Sequence, residues 1–219
     1  TSMSILFSGC SHTVGTDLPD PQLQRYSTLI GERVGKEVVN VAENGASNDW
    51  ITRSVLEALN DSTEFVYVQF TSRDRIELWK RIGITTHKWV NIIPSFSRNT
   101  DYQWHDLAKN WFTHFNTPEL GSSNLWRNIY LLENVLTNLN IPHYFFIINR
   151  KEDCDNIYRS RSSWKNILCE EDLIGVSLRK EKRHPTVKEH QIIADKLVDK
   201  FQRRHYNKRV TTVTSGVTE

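Results

Sequence analysis

The chain of 219 residues holds 28 Lys plus Arg against 26 Asp plus Glu, a formal net charge of +2. So small a balance argues against a dedicated nucleic-acid binder, which carries a clear basic excess. Three cysteines cannot form a disulfide framework, and Cys10, Cys154 and Cys169 lack zinc-ligand spacing, so no metal or other cofactor is expected. At 38% hydrophobic and 25% charged residues, the chain suits one domain that buries a core without staples. No stretch nears the roughly 18 apolar residues that span a bilayer. The run Ser4–Gly9 is too short for a signal-peptide core. A membrane partner is therefore not expected, and a cytoplasmic or virion-associated place is.

Taken in order, strand-like and helix-like segments alternate. Ile5–Phe7 reads as a short buried strand stopped by Ser8 and Gly9. Residues 22–35 put Leu23, Tyr26, Leu29 or Ile30, and Val34 on one helical face, with Gly35 at the end. Val38–Ala42 is a second strand. Ser47 or Asn48 caps a helix bearing Trp50, Ile51, Val55, Leu56 and Leu59. Phe65–Phe70, apolar nearly throughout, fits a parallel strand covered on both faces. A helix over 123–140, a strand over Tyr144–Ile148 and a helix over 186–204 complete the series. This alternation predicts a three-layer α/β/α sandwich, a central parallel sheet with helices on both faces. Ligand sites in such sheets lie at the carboxyl ends of the strands. Two regions break the pattern. Residues 79–121 are rich in aromatic side chains and weakly periodic, and suggest an insertion over the strand ends with one short helix near 104–115. Residues 206–219 suggest a loosely held polar tail.

The first strand runs into Ser8-Gly9-Cys10-Ser11-His12-Thr13. A serine there can face a cleft, with turn N–H groups beside it to hold an oxyanion, or it can serve only as a turn residue or N-cap. The stretch Glu181-Lys182-Arg183-His184-Pro185-Thr186 precedes the last helix. Glu181 lies three residues before His184, so one tight loop can join an imidazole and a carboxylate, as a serine nucleophile requires. Alternatively, this is a charged loop with a solvent-facing histidine. Pro185 suits the first helical position.

Together the two stretches resemble the SGNH (GDSL-type) hydrolase family. Gly9-Cys10-Ser11 is similar to its nucleophile block, with Cys10 in place of Asp. Glu181 to Pro185 is similar to its last Asp-x-x-His-Pro block, with Glu in place of Asp. Asn44-Gly45-Ala46-Ser47 matches the second block. Thr71-Ser72-Arg73-Asp74 stands at the third, where Arg73 takes the place of the Asn that donates to the oxyanion. The resemblance covers about residues 4–75 and 176–203 and implies the SGNH version of the flavodoxin-like sandwich. It implies Ser11 as nucleophile, His184 as base and Glu181 as the acid orienting it. Ser11, Gly45 and Arg73 would form the oxyanion hole, and His12, Asn44, Asn48, Ser72 and Asp74 would face the substrate. The implied activity is hydrolysis of a small ester or an acylated carbohydrate, of the esterase or O-deacetylase type. The rival reading is a weak or inactive module of the same fold, built into a larger assembly such as a phage particle. The aromatic insertion can pack a satellite core under Trp79, Trp104 and Trp111, contact a ligand, or bind a protein partner or a second copy of the chain.

Overall fold

The first strand, β1 (Ser4–Ser8), is buried along its whole length; Ile5 and Phe7 enter one layer of apolar packing and Leu6 the other. That alternation sets the architecture of this computed structural model, which describes residues 2–148, 168–169, 173–175, 178 and 183–214. In chain order β1 is followed by α1 (Ser11–Val14), α2 (Pro21–Gln24), α3 (Tyr26–Val34), β2 (Glu37–Asn40) and α4 (Asn48–Ala58). Next come β3 (Thr63–Phe70), β4 (Ile76–Arg81), β5 (His87–Ile92), a 3₁₀ turn (Pro94–Arg98), α5 (His105–His114) and α6 (Pro118–Asn138). The described chain ends with β6 (His143–Ile147), β7 (Leu168–Cys169) and a last helix, α7 (Val187–Thr214).

Five strands form one parallel sheet in the order β2-β1-β3-β6-β7. On one face Leu6, Val66, Val68, Phe70 and Phe145 pack against Ile51 and Val55 of α4 and Leu125, Ile129 and Leu132 of α6. On the other, Ile5, Phe7, Phe65, Tyr67 and Phe146 meet Ile30 of α3 and Ile193, Leu197 and Phe201 of α7. This is the expected three-layer α/β/α sandwich. Each fully buried side chain of this kind contributes about 1.5–3 kcal/mol, so the two layers hold the strand ends as a rigid platform.

Several elements depart from the sequence reading, among them α6, which starts at Pro118 and not at 123, and β7, which was not expected. The helix expected over 22–35 is broken: Arg25 is extended (φ −68°, ψ 145°) between α2 and α3. The cause is a distant acceptor, because the Tyr26 N–H donates to His190 Nδ1 at 3.1 Å. The last helix starts one residue later than expected and continues to Thr214, through most of the presumed tail. The insertion contains an antiparallel hairpin, β4 with β5, and not only loops and α5. Val90, Ile92 and Ala108 form its small core, with Leu78, Trp104 and Trp111 packed against them. Trp79 is outside that core; it is 57% exposed and packs on its cross-strand partner Trp89. Among the described residues no helix is long and apolar enough to cross a membrane.

Candidate active site

The turn after β1 is built for close approach. A Cβ on Gly9 would lie 2.1 Å from Thr13 Oγ1 and 3.0 Å from Gln69 Cβ, so only glycine lets α1 fold back this tightly. Thr13 Oγ1 donates to Gln69 Oε1 at 2.7 Å and receives the Tyr26 hydroxyl at 2.6 Å. Asn40 Nδ2 donates to the Thr13 carbonyl. Bonds from two strands, β2 and β3, and from α3 thus fix α1. Gly9→Ala is expected to destabilise the fold by about 1–3 kcal/mol, read as a lower melting temperature together with weaker activity.

Ser11 opens α1. Its Oγ lies 3.0 Å from His184 Nε2, and His184 Nδ1 lies 2.6 Å from Asp17 Oδ2. The carboxylate fixes the tautomer: Nδ1–H donates to Asp17, leaving the Nε2 lone pair to accept the Ser11 hydroxyl proton. Asp17 has a left-handed φ of 70°, reached after Gly15 at φ 85° closes α1. Thr16 Oγ1 donates to Asn44 Oδ1 at 2.6 Å and steadies this turn. Asp17 was not a candidate from sequence, since no spacing rule links it to His184, 167 residues away. Glu181, the expected acid, lies outside the described residues, as do residues 149–155 after β6.

The His184 loop is pinned from behind. Thr186 and Glu189 form a reciprocal cap at the start of α7: the Thr186 N–H donates to Glu189 Oε2 at 2.7 Å, and the Glu189 N–H to Thr186 Oγ1 at 3.4 Å. Pro185 therefore precedes the cap and does not occupy the first helical position. Arg183 grips the Glu189 carboxylate at 2.6 and 2.7 Å, and its Nη1 also donates to the His184 carbonyl. The Arg183 guanidinium, aided by the Thr186 N–H, holds the Glu189 carboxyl at about 2. Its folded value is depressed, so this contribution to stability is complete above the ordinary carboxylate range and is lost as pH falls toward 2.

Two further imidazoles flank the site. His12 is nearly buried and meets the His184 ring edge-on, with centroids 5.3 Å apart. His190 is fully buried and stacks on Tyr26; its Nε2 has no hydrogen-bond partner among the described residues. Burial, followed by the charge of His12, lowers the His190 pKa to about 4. Between about 6.5 and 4 the unfolded chain takes up a proton that the folded chain refuses, so stability falls as pH drops through that window. The His190→Asn variant, which keeps an acceptor for Tyr26, is expected to flatten the pH dependence of thermal melting there.

The Ser11 and Gly45 N–H groups have no acceptor among the described residues. Gly45 adopts φ 75°, and a Cβ there would touch nothing, so glycine is needed for the backbone angle alone. Burial is the largest influence on Cys10 and opposes ionisation, but the charges of His12 and Arg75, with hydrogen bonds from His12 and Thr71, together outweigh it and lower the thiol pKa. Arg73 Nη1 donates to Ser122 Oγ on α6 at 3.0 Å. Asn48 is buried, its amide bonded to the Thr71 N–H and to the carbonyls of Thr71 and Ser72, so it ties the loop after β3 to α4. Ser72 Oγ donates to Asp74 Oδ2 and closes the same loop. Asn44, in addition to its bond with Thr16, lines a cavity of about 380 Å³ between residues 43–45 and the hairpin. Trp50, Trp89, Trp104 and Tyr102 also line it, with Glu43 and the Arg53–Glu77 ion pair (2.8 Å). Ser11 and His184 do not; its rim is tied to the turn that carries Ser11 by the Thr16–Asn44 bond and by the Glu43 N–H, which donates to the Gly9 carbonyl.

No family model and no curated protein matches the chain. Solved structures do. A G-D-S-L family protein from Desulfitobacterium hafniense DCB-2 aligns with a TM-score of 0.56 at 11% identity, over 90% of this chain and 98% of that one. The fold is that of the SGNH hydrolases. The psychrotrophic esterase EstA from Pseudoalteromonas sp. shares it (TM-score 0.50, 12% identity, 93% of this chain and 98% of that one). So does a carbohydrate esterase whose active site displays divergent catalytic and non-catalytic binding functions (TM-score 0.50, 13% identity, 92% of this chain and 65% of that one). In this SGNH fold, the turns carrying Ser11, Gly45 and Arg73 follow β1, β2 and β3 at the carboxyl end of the sheet.

Proposed function

We propose that the protein is a serine-dependent ester hydrolase. The observation that carries this reading is the run of contacts from Ser11 Oγ to His184 Nε2 (3.0 Å) and from His184 Nδ1 to Asp17 (2.6 Å). Ser11 Oγ attacks the ester carbonyl while its proton passes to His184 Nε2. The imidazolium then gives that proton to the leaving alkoxide as the tetrahedral intermediate collapses to an acyl-Ser11. A water, deprotonated by the same Nε2, releases the acid and restores the hydroxyl. Asp17 keeps the imidazole in its accepting tautomer and balances the imidazolium charge. The N–H groups of Ser11 and Gly45 face the oxyanion, and Arg73 is the candidate third donor from the loop after β3. Removing one such donor costs about 2.7–4 kcal/mol in serine hydrolysis, so a low turnover number is expected if Arg73 remains on Ser122.

The favoured substrate class is an acylated carbohydrate. The aromatic rings, carboxylates and amides around the 380 Å³ cavity beside Gly45 offer flat faces and hydrogen bonds suited to a sugar ring. Hydrolysis of p-nitrophenyl acetate and of a panel of acetylated oligosaccharides, with Ser11→Ala as control, tests both levels of this reading. Turnover that persists in Ser11→Ala overturns the mechanism. Trp89→Ala is expected to raise KM about tenfold or more for acetylated oligosaccharides, a loss on the scale of one aromatic contact, while leaving p-nitrophenyl acetate hydrolysis unchanged. An equal effect on both substrates would remove the cavity from substrate binding.

A further inference from the structure

A second cavity, of about 200 Å³, lies between the loop after β3, the end of α5 and the first turns of α6. Arg73, Arg75 and Arg127 line it, and no carboxylate does. Three guanidinium groups around one small space stand out in a chain whose net charge is only +2. Asp49 reaches Arg127 at 3.7 Å, but its oxygens also accept from Asn124 Nδ2, Asn128 Nδ2 and the Glu77 N–H. Glu119, on the exposed first turn of α6, also senses the Arg73 charge. Neither acid lines the cavity.

Two other observations point to an acceptor. Trp111 lines the same cavity, and its indole Nε1 is buried without a hydrogen-bond partner among the described residues. A buried donor of this kind is normally satisfied. The amino-terminal turn of the 21-residue helix α6 also borders the space and contributes the positive end of its dipole. The walls are held together by Gly121, where a Cβ would come within 2.7 Å of the Arg73 carbonyl oxygen.

We propose that this cavity binds a tetrahedral oxyanion, a phosphate or sulfate group. Guanidinium forks match such oxygens in pairs, and the Trp111 N–H, closed off from the cavity in this structure, becomes a neutral donor when the indole turns toward a bound oxygen. Arg75 Nη1 also donates to the Ala46 carbonyl, next to Gly45, so an anion held here would brace the loops after β2 and β3 against each other. The anion is either a free ion or a substituent of the substrate.

The test is calorimetric titration of the full chain with inorganic phosphate and with sulfate, at an ionic strength held constant with sodium chloride. Saturable binding at one site is expected. Arg127→Ala, at a largely exposed side chain, and Trp111→Phe, which removes only the N–H, should each weaken it by about tenfold, the scale of one charge-assisted hydrogen bond. Arg127→Lys should restore part of the loss. Inorganic phosphate that competes with a phosphorylated acetyl ester, but not with its neutral counterpart, assigns the site to a substrate substituent. Binding without such competition assigns it to the free ion. No saturable binding above the chloride background, or binding that both variants leave unchanged, overturns the proposal. The titration does not depend on hydrolysis, so its failure is separable from failure of the hydrolase reading.

Discussion

Exchanging His184 for alanine is expected to slow ester hydrolysis by about 10³-fold or more, and Ser11→Ala to do the same. The two groups are in direct contact at 3.0 Å and act on one proton, so their losses should not add. The double variant should be about as slow as either single one. Residual turnover would come from the Ser11 and Gly45 N–H groups and from binding alone. Fully additive losses in the double variant would mean that the two side chains do not share a step. Circular dichroism of each variant separates loss of chemistry from loss of fold, since Ser11 and His184 lie at the edge of the packed layers and not within them.

Asp17→Asn should lower kcat by about 10- to 10²-fold with little change in KM. Neutral asparagine can hold either imidazole tautomer, so a fraction of the molecules present a protonated Nε2 to Ser11 and cannot accept its proton. The loss is smaller than for a buried acid because the Asp17 side chain is 73% exposed and water screens its charge. Asp17→Glu should recover part of the activity. Glu181→Gln, measured beside it, separates the two acids: a larger loss in Glu181→Gln than in Asp17→Asn would transfer the orienting role to the residue the sequence resemblance implied.

Much of this frame was readable beforehand because it is local. The strands β1, β2, β3 and β6 and the short turn at Gly9 are encoded in runs of fewer than ten residues. The break at Arg25 was not readable, because its cause is His190, 164 residues beyond Tyr26. Asp17 was hidden for a similar reason. A carboxylate in a surface turn carries no signal until its left-handed backbone and the His184 loop bring it to Nδ1. The β4–β5 hairpin was obscured because its two tryptophans, Trp79 and Trp89, face outward, which blurs the apolar-polar alternation that marks a half-buried strand. Asn48 was misplaced because a polar residue after a glycine turn looks like a substrate contact, whereas here it satisfies buried backbone groups.

The central claim is that Ser11 is a nucleophile activated by His184. Incubation with a serine-directed fluorophosphonate, followed by peptide mass spectrometry, tests it without knowledge of the natural substrate. One adduct on Ser11 is expected, absent in Ser11→Ala and strongly slowed in His184→Ala. An unlabelled Ser11 in the folded protein, or labelling at the same rate in His184→Ala, would contradict the account.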